Sequence, residues 1–431
     1  MGAPGVPRRD RGPLVKPLVW IPQHFGALLF DRTSSRYLPF DHEAAAVLRA
    51  LIDRPAGEVI DAHPDPDAAL GLVVGLAEQH LLSPDDRLPA AALDAEPPED
   101  HLLGPLAVHL EIVGACNLSC GHCFAAPLPR HRDPLTLDEL RDLFGQLAAV
   151  GAFRLGLTGG EPLLRRDLLD ILDAATDAGL HPCLTTNGLL LTESMARALA
   201  ERPLIWLNVS LDGATAETND ALRGAGTFDA VLRRLQVLRE HARFTLAFTL
   251  TRHNLHEIER CVELADAVGA HTAVFRPLYP TGAALERPDL MPDFVDYTEA
   301  LRRIAHADVR PLDPFSPQAR AVTAGKVHDN DGCGAANTVC SISVQGQVNP
   351  CSFLGPDFEA GSVRERPFRE LWDAGWSFAR LRDTAGEDFQ GGCRARSQAL
   401  AGSVHARDPW EAAWRAGVGE APDRTLELCH G

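Results

Sequence analysis

The sequence predicts an α/β protein built around a parallel sheet. Between residues 105 and 310, six apolar segments of strand length alternate with helical runs. The turns after four of those segments carry cysteine, glycine and polar residues in unusual density. Such alternation implies a parallel sheet, barrel-like or doubly wound, whose active site lies at the C-terminal ends of the strands. A small α+β unit is expected before it, and an irregular cysteine-bearing region after it.

Taken in order, "LVWIP", "GALLFD" and "RYLPFD" are short apolar segments bounded by turn residues, which predicts three small strands. Asp41 then opens "HEAAAVLRALID", with apolar residues at helical spacing, and "PDAALGLVVGLAEQHLL" predicts a further helix. The stretch "SPDDRLPAAALDAEPPED" (83–100) is acidic, rich in Pro and Ala and without periodicity, and so is expected to be a linker. The expected strands of the sheet are "LAVHLEIVGA", "FRLGLTGG", "PCLTTNG", "LIWLNVSLDG", "RFTLAFTLT" and "HTAVFRP". Helical runs such as "TLDELRDLFGQLAAVG", with Thr136 and Glu139 as a capping box, and "TFDAVLRRLQVLREHA" separate them. Beyond a helical link, "PDFVDYTEALRRIAHA", a hairpin is expected in "CSISVQGQVNPC", followed by an irregular tail. Four domain spans follow: 14–88, a linker at 89–104, 105–310 and 311–431.

Composition narrows the function. A chain of 431 residues, 45% apolar and 23% charged, is ordinary for a soluble globular protein. Its net charge of −18 argues against a nucleic-acid-binding face, which needs basic clustering. No apolar run reaches the roughly 18 residues of a membrane span, and the Arg/Pro-rich start has no apolar core of a signal peptide. A cytoplasmic address is therefore expected, where clustered cysteines point to metal or catalysis before disulfides. Of the ten cysteines, Cys116, Cys120 and Cys123 fall within eight residues. Three thiols suggest a metal with an open coordination position, the other reading being a disulfide with a spare thiol. Cys183 and Cys261 sit in apolar patterns and are expected in the core. The 17 histidines form no recognisable ligand pair.

The spacing Cys116-x3-Cys120-x2-Cys123, with His122 before the last cysteine, resembles the signature of the radical S-adenosylmethionine (SAM) superfamily. The resemblance implies a partial (β/α)6 TIM-like barrel. It also implies a [4Fe–4S] cluster on the three thiolates, its fourth iron chelated by SAM, and reductive cleavage to a 5′-deoxyadenosyl radical. "GLTGGEP" resembles the second-strand motif, which places Gly159, Gly160, Glu161 and Pro162 at SAM, with Glu161 accepting from its ammonium group. "TTNG" and "SLDG" resemble the third and fourth strand ends and implicate Thr186, Asn187 and Ser210; "FRPLYPTG" resembles the segment bordering adenine. Arg233 is expected to pair with the SAM carboxylate, the alternative being a solvated helix arginine.

Cys333, Cys340, Cys351 and Cys393 follow at separations of six, ten and 41 residues. "GCGAANTVCSISVQGQVNPCSF" resembles the opening of the SPASM extension, which commonly binds two auxiliary clusters. In "FQGGC" Phe389 stands where a second-cluster ligand is expected, and "DPW" (408–410) has Trp at another. One auxiliary [4Fe–4S] cluster on the four retained cysteines is therefore expected, with zinc at the same thiolates as the alternative. Cys429 is a spare thiol or an extra ligand. Residues 14–88, through "FGALLFDRTSSRYLPFDHEAAAVLRALI", resemble the pyrroloquinoline-quinone-type peptide chaperone, or RiPP recognition element, with a winged-helix-like fold; the alternative is a purely structural accessory domain. Together the resemblances imply a maturase of a ribosomally made precursor peptide, with oxidative cross-linking of the core peptide as the expected reaction. The expected partners are that precursor, its leader held by residues 14–88, and a reducing donor such as ferredoxin or flavodoxin. Epimerisation, decarboxylation, or action on a small molecule or tetrapyrrole are the enzymatic alternatives, and a non-catalytic scaffold the remaining one.

Overall fold

The computed structural model describes residues 16–125, 133–311, 333–383, 388–389, 391–411 and 413. It divides into two compact units, one ending at Glu99 and the other beginning at Asp100.

In the first unit, β1 (Leu18–Gln23), β2 (Gly26–Asp31) and β3 (Arg36–Asp41) form the expected antiparallel strands. Gly26 turns the first hairpin at φ +137, pressed against the backbone of Phe40 and Asp41 where a Cβ has no room. Asp41 ends β3 and caps α1 (His42–Asp53), its Oδ1 accepting from the Ala44 amide at 3.0 Å. A short α2 (Ala56–Asp61), not anticipated from the sequence, and α3 (Pro66–Glu78) complete the helical layer. Leu29, Leu48, Leu51, Val59, Val73 and Leu76 form the core between sheet and helices.

The expected linker is in part structural. Leu88 and Ala90 are buried in this core, and β4 (Ala90–Ala92) pairs in parallel with β1. Alanine-rich sequence carries no strand periodicity, so only this pairing reveals β4. Among the described residues the sheet order is β3-β2-β1-β4, which leaves β3 at an open edge.

In the second unit the six expected strands are β5 (Ala107–Val113), β6 (Arg154–Gly159), β7 (His181–Thr186), β8 (Leu207–Ser210), β9 (Thr245–Leu250) and β10 (Thr272–Pro277). All are parallel and lie in sequential order, with β11 (Val309–Pro311) added beside β10. The helices between them are α4 (Leu137–Ala149), α5 (Leu168–Asp177), α6 (Glu193–Ala200), α7 (Ala216–Arg223), α8 (Thr227–Leu238) and α9 (Ile258–Ala267), with α10 (Phe294–Arg303) before β11. The capping box on α4 is present, Thr136 and Glu139 bonding reciprocally. Sequential order with right-handed crossovers puts the crossover helices on one face. Val108, Leu110 and Ile112 of β5 are accordingly buried, while His109, Glu111 and Val113 on its other face are partly open.

The cysteine-bearing C-terminal region does not stand apart from this sheet. Its hairpin, β12 (Val339–Ile342) and β13 (Gln347–Asn349), docks in parallel against β5, and β14 (Gly361–Ser362) extends it to ten strands. Beyond it lie α11 (Phe368–Ala374), α12 (Trp376–Arg382) and α13 (Arg394–Ala401). Trp372 of α11 is fully buried and donates Nε1–H to Leu102 O at 2.8 Å, locking α11 to the segment before β5. No helix among the described residues is long and apolar enough to cross a membrane.

Candidate functional site

The three-cysteine loop leaves the C-terminal end of β5, and its neighbours fix its path. Gly121 N donates to Leu222 O at 3.0 Å, and Cys123 O accepts from Ala283 N at 2.9 Å. Behind it Leu222, Leu278, Ala284 and Leu290 make a small apolar cluster. Cys116, Cys120 and Cys123 form no disulfide and are partly exposed.

The two glycines after β6 hold this loop from the side. Gly160 N donates to Val113 O at 2.6 Å and Glu161 N to Ala115 O at 2.8 Å. A Cβ on Gly159 would overlap Val113 O, and one on Gly160 would overlap Ala115 O. The close approach that demands glycine is thus to the backbone entering the cysteine loop. Glu161, expected to accept from the SAM ammonium, is held by donors of the protein itself. Its carboxylate is fully buried and accepts from Leu163 N at 3.0 Å, Thr186 Oγ1 at 2.6 Å and Asn187 N at 2.7 Å. Burial raises this carboxyl above its usual range, against the pull of those donors. Glu161 therefore clamps the end of β7 to the end of β6, while buried Pro162 starts the turn that follows. Asn187 extends the clamp: its Nδ2 donates to Asn117 Oδ1 at 2.7 Å and lies 3.9 Å from Cys116 Sγ. Ser210 ends β8, partly exposed.

A second anchor sits under the loop. Asp212 is fully buried; its Oδ2 meets His122 Nε2 at 2.9 Å and Arg223 Nε at 2.5 Å, and its Oδ1 accepts from Thr249 N at 2.8 Å. Burial alone would raise this carboxyl, but Arg223 and His122 outweigh it and hold it below the usual carboxylate range. Burial also pushes the Cys120 thiol up to about 11, with Arg223 acting the other way. His122 meets Asp212 through Nε2, which leaves Nδ1, buried without a hydrogen-bond partner among the described residues, to face a cofactor. Arg233 is exposed on α8, away from the face carrying Val231 and Leu235. The arginine at the thiols is Arg223, ten residues earlier at the end of α7. Only the SLDG aspartate followed by "NDALRG" on the next helix could have signalled it.

The second thiol group gathers around β12. Cys333, Cys340 and Cys393 are buried and Cys351 partly so. Cys351 feels the charges of Cys393 and Cys333, and Cys340 that of Cys351. Burial pushes Cys393 up to about 12 and Cys340 and Cys351 higher still. Binding a metal group as thiolates would relieve that penalty. The loop from Cys333 is tight, with the amides of Asn337, Thr338 and Val339 all directed to Gly334 O. Phe124, after Cys123, packs edge-on against Phe353, after Cys351, at 5.5 Å, and Tyr279 stacks on Phe353 at 4.3 Å. This aromatic wall joins the two thiol groups.

The positions lacking second-cluster cysteines are filled by other chemistry. Phe389 lies under the Arg394 guanidinium at 4.2 Å, and Trp410 under Arg396 at 3.7 Å. Arg396 in turn pairs with buried Asp408 at 3.3 Å, and Asp408 accepts from Cys393 N at 2.5 Å. Cys429 lies outside the described residues. Cys183 and Cys261 are buried, as expected.

The donor types suit iron–sulfur clusters: three thiols on one loop beside buried His122, and four thiols whose charges act on one another around β12. Among the described residues, no group of three or more His, Cys, Asp or Glu is arranged to hold a single metal ion. One carboxylate escaped the sequence reading. Glu111, on the open face of β5, is pushed up to about 7 by burial, against a Val344 amide bond and with Glu359 nearby.

Comparison with known proteins accords with this geometry. Residues 110–265 match the radical SAM superfamily, and residues 333–395 match the SPASM iron–sulfur cluster-binding domain. The chain is 33% identical to an AdoMet-dependent heme synthase of Methanosarcina barkeri, over 71% of this chain and 96% of that one. It is 32% identical to the mycofactocin maturase MftC of Mycobacterium tuberculosis, over 68% of this chain and 77% of that one. In fold it resembles Streptococcus suis SuiB bound to its precursor peptide SuiA, with TM-score 0.66 and 16% identity over 86% and 90% of the two chains.

Proposed function

This chain belongs to the radical SAM superfamily and carries the SPASM extension, and from that membership we propose that it matures a ribosomally made precursor peptide. As an enzyme of this class it takes SAM, a SAM-binding [4Fe–4S] cluster and an auxiliary cluster. When bound, cluster and cofactor supply a 5′-deoxyadenosyl radical that abstracts hydrogen from the substrate.

The observation that carries the peptide reading is the open edge of β3. Beside it lies a cavity of about 290 Å³ lined by Asp31, Ser34, Arg36, Leu38, Gln79 and Leu81. An unpaired strand edge beside a helix suits capture of an extended leader, with main-chain bonds giving affinity and alternate side chains specificity. In this reading the first unit is a winged-helix-like recognition element and the six sequential strands curve as a partial barrel. Cys116, Cys120 and Cys123 hold the SAM cluster; Cys333, Cys340, Cys351 and Cys393 hold the auxiliary one. The backbone around Gly159, Gly160 and Pro162, with Thr186, Asn187 and Ser210, borders SAM, while Glu161 and Asp212 keep that backbone in place. Glu111 is suited by its environment to take a proton near neutral pH. The expected chemistry is oxidative cross-linking, with a ferredoxin or flavodoxin as donor. The kinship with a heme synthase favours tetrapyrrole oxidation as the second reading.

Co-expression with short open reading frames flanking the gene separates the two. Loss of hydrogen from one such peptide, seen by mass spectrometry and dependent on Cys116, is the expected result. Unchanged peptides together with conversion of an added tetrapyrrole, dependent on Cys116, would establish the tetrapyrrole reading instead.

A further inference from the structure

Arg382 closes α12 against the loop between Cys333 and Cys340. Its Nε donates to Ala336 O at 2.9 Å and its Nη1 to Trp372 O at 2.7 Å. Its plane lies on Trp372 and Phe378, at 4.5 and 5.5 Å from the ring centroids. Ala336, which it grips, is fully buried in a left-handed conformation midway between two of the thiols. The remaining nitrogen, Nη2, is buried without a hydrogen-bond partner among the described residues. Asp373 and Asp100 act on Arg382 from a distance but are engaged by His101, and Asp373 also by Arg369. The charges of Arg382 and Cys340 act on each other.

A buried guanidinium with a spare donor and, among the described residues, no ion pair within bonding distance is costly unless something anionic meets it. A cubane on four thiolates carries a net charge of about −2, becoming about −3 on reduction. A fixed cation beside it stabilises the reduced form more, and so raises its potential. Arg396, whose charge also acts on Cys393, already pairs with Asp408.

We propose that Arg382 is the cationic partner of the auxiliary cluster: Nη2 donates to a sulfur at the Cys340 corner, and the charge tunes the cluster to accept electrons. The proposal rests on the reading that the four thiols hold a cluster. Reduction then adds one electron to the cluster, and the substrate-derived radical that loses it is oxidised by one electron. Arg382 is a positioning residue in this scheme and touches no reacting atom.

The test isolates the auxiliary cluster in the full chain with Cys116, Cys120 and Cys123 all changed to Ala, reconstituted anaerobically. About four irons per chain are expected. Zinc without iron would sink the cluster reading, and the proposal with it, before any arginine is changed. In that background, Arg382→Met and Arg382→Lys are compared by iron content and by redox titration followed by electron paramagnetic resonance. Arg382→Met should keep its iron and favour the oxidised cluster by about tenfold or more, a fall of at least about 59 mV. Arg382→Lys, keeping the charge, should fall between. Full iron with an unchanged potential in Arg382→Met overturns the proposal. If Arg382→Met fails to load, normal loading of Arg382→Lys supports the charge role, and failure of both reduces Arg382 to a structural residue.

Discussion

Gly160 shows how little freedom the thiol loop has. Its amide bonds to Val113 O, and the place of its missing Cβ is occupied by Ala115 O, one residue before Cys116. The atom in the way is backbone, at the end of a central strand, and cannot swing aside as a side chain would. Gly160→Ala must therefore move the cysteine loop or the GGEP turn. The expected outcome is a folded protein that keeps its auxiliary cluster and loses the SAM cluster, so that iron falls from about eight to about four per chain. SAM cleavage should be lost with it. Iron analysis of the reconstituted variant checks this, and full iron with normal cleavage would show that the loop can yield. Glu161 and Asp212 act on the same loop by a different route: each is a buried carboxylate with all of its close partners inside the protein. Sequence motifs mark such residues without saying whether they face the ligand or the scaffold.

At the level of elements, the legible parts were those with local periodicity. β1 to β3, β5 to β10 and the capped helices follow from apolar spacing and from Asp41 and Thr136 at their caps. β12 was legible as half of a hairpin, but not its docking beside β5, because parallel pairing between residues 107 and 339 leaves no local signal. The same holds for β4, read as linker from its alanines although Ala90 is fully buried and paired with Leu18. An isolated first unit cut after residue 88 should thus be less stable than one cut after residue 99. The shorter form loses the β4 pairing and its buried alanine, together about 1–2 kcal/mol. For a domain of this size that lowers Tm by roughly 4–16 °C. Equal melting temperatures would show that β4 contributes nothing to the unit.

On the scale of the whole molecule, capture and chemistry are assigned to different units. Every residue proposed at SAM or at a cluster lies beyond residue 115, in the unit that begins at Asp100. The open edge proposed for the leader lies in the unit that ends at Glu99. Removing residues 1–99 should therefore leave about eight irons and uncoupled cleavage of SAM to 5′-deoxyadenosine. Modification of a full-length precursor should disappear. The excised first unit should bind the leader alone with micromolar or better affinity, about −8 kcal/mol. A proline placed in the leader segment that pairs with β3 should weaken that binding, because proline has no N–H to give to the ladder. β3 itself carries Pro39 and so offers one donor fewer along its edge, which makes the leader's own donors count for more. A truncated enzyme that still modifies its precursor at the full rate would remove the first unit from substrate capture and leave it a structural appendage.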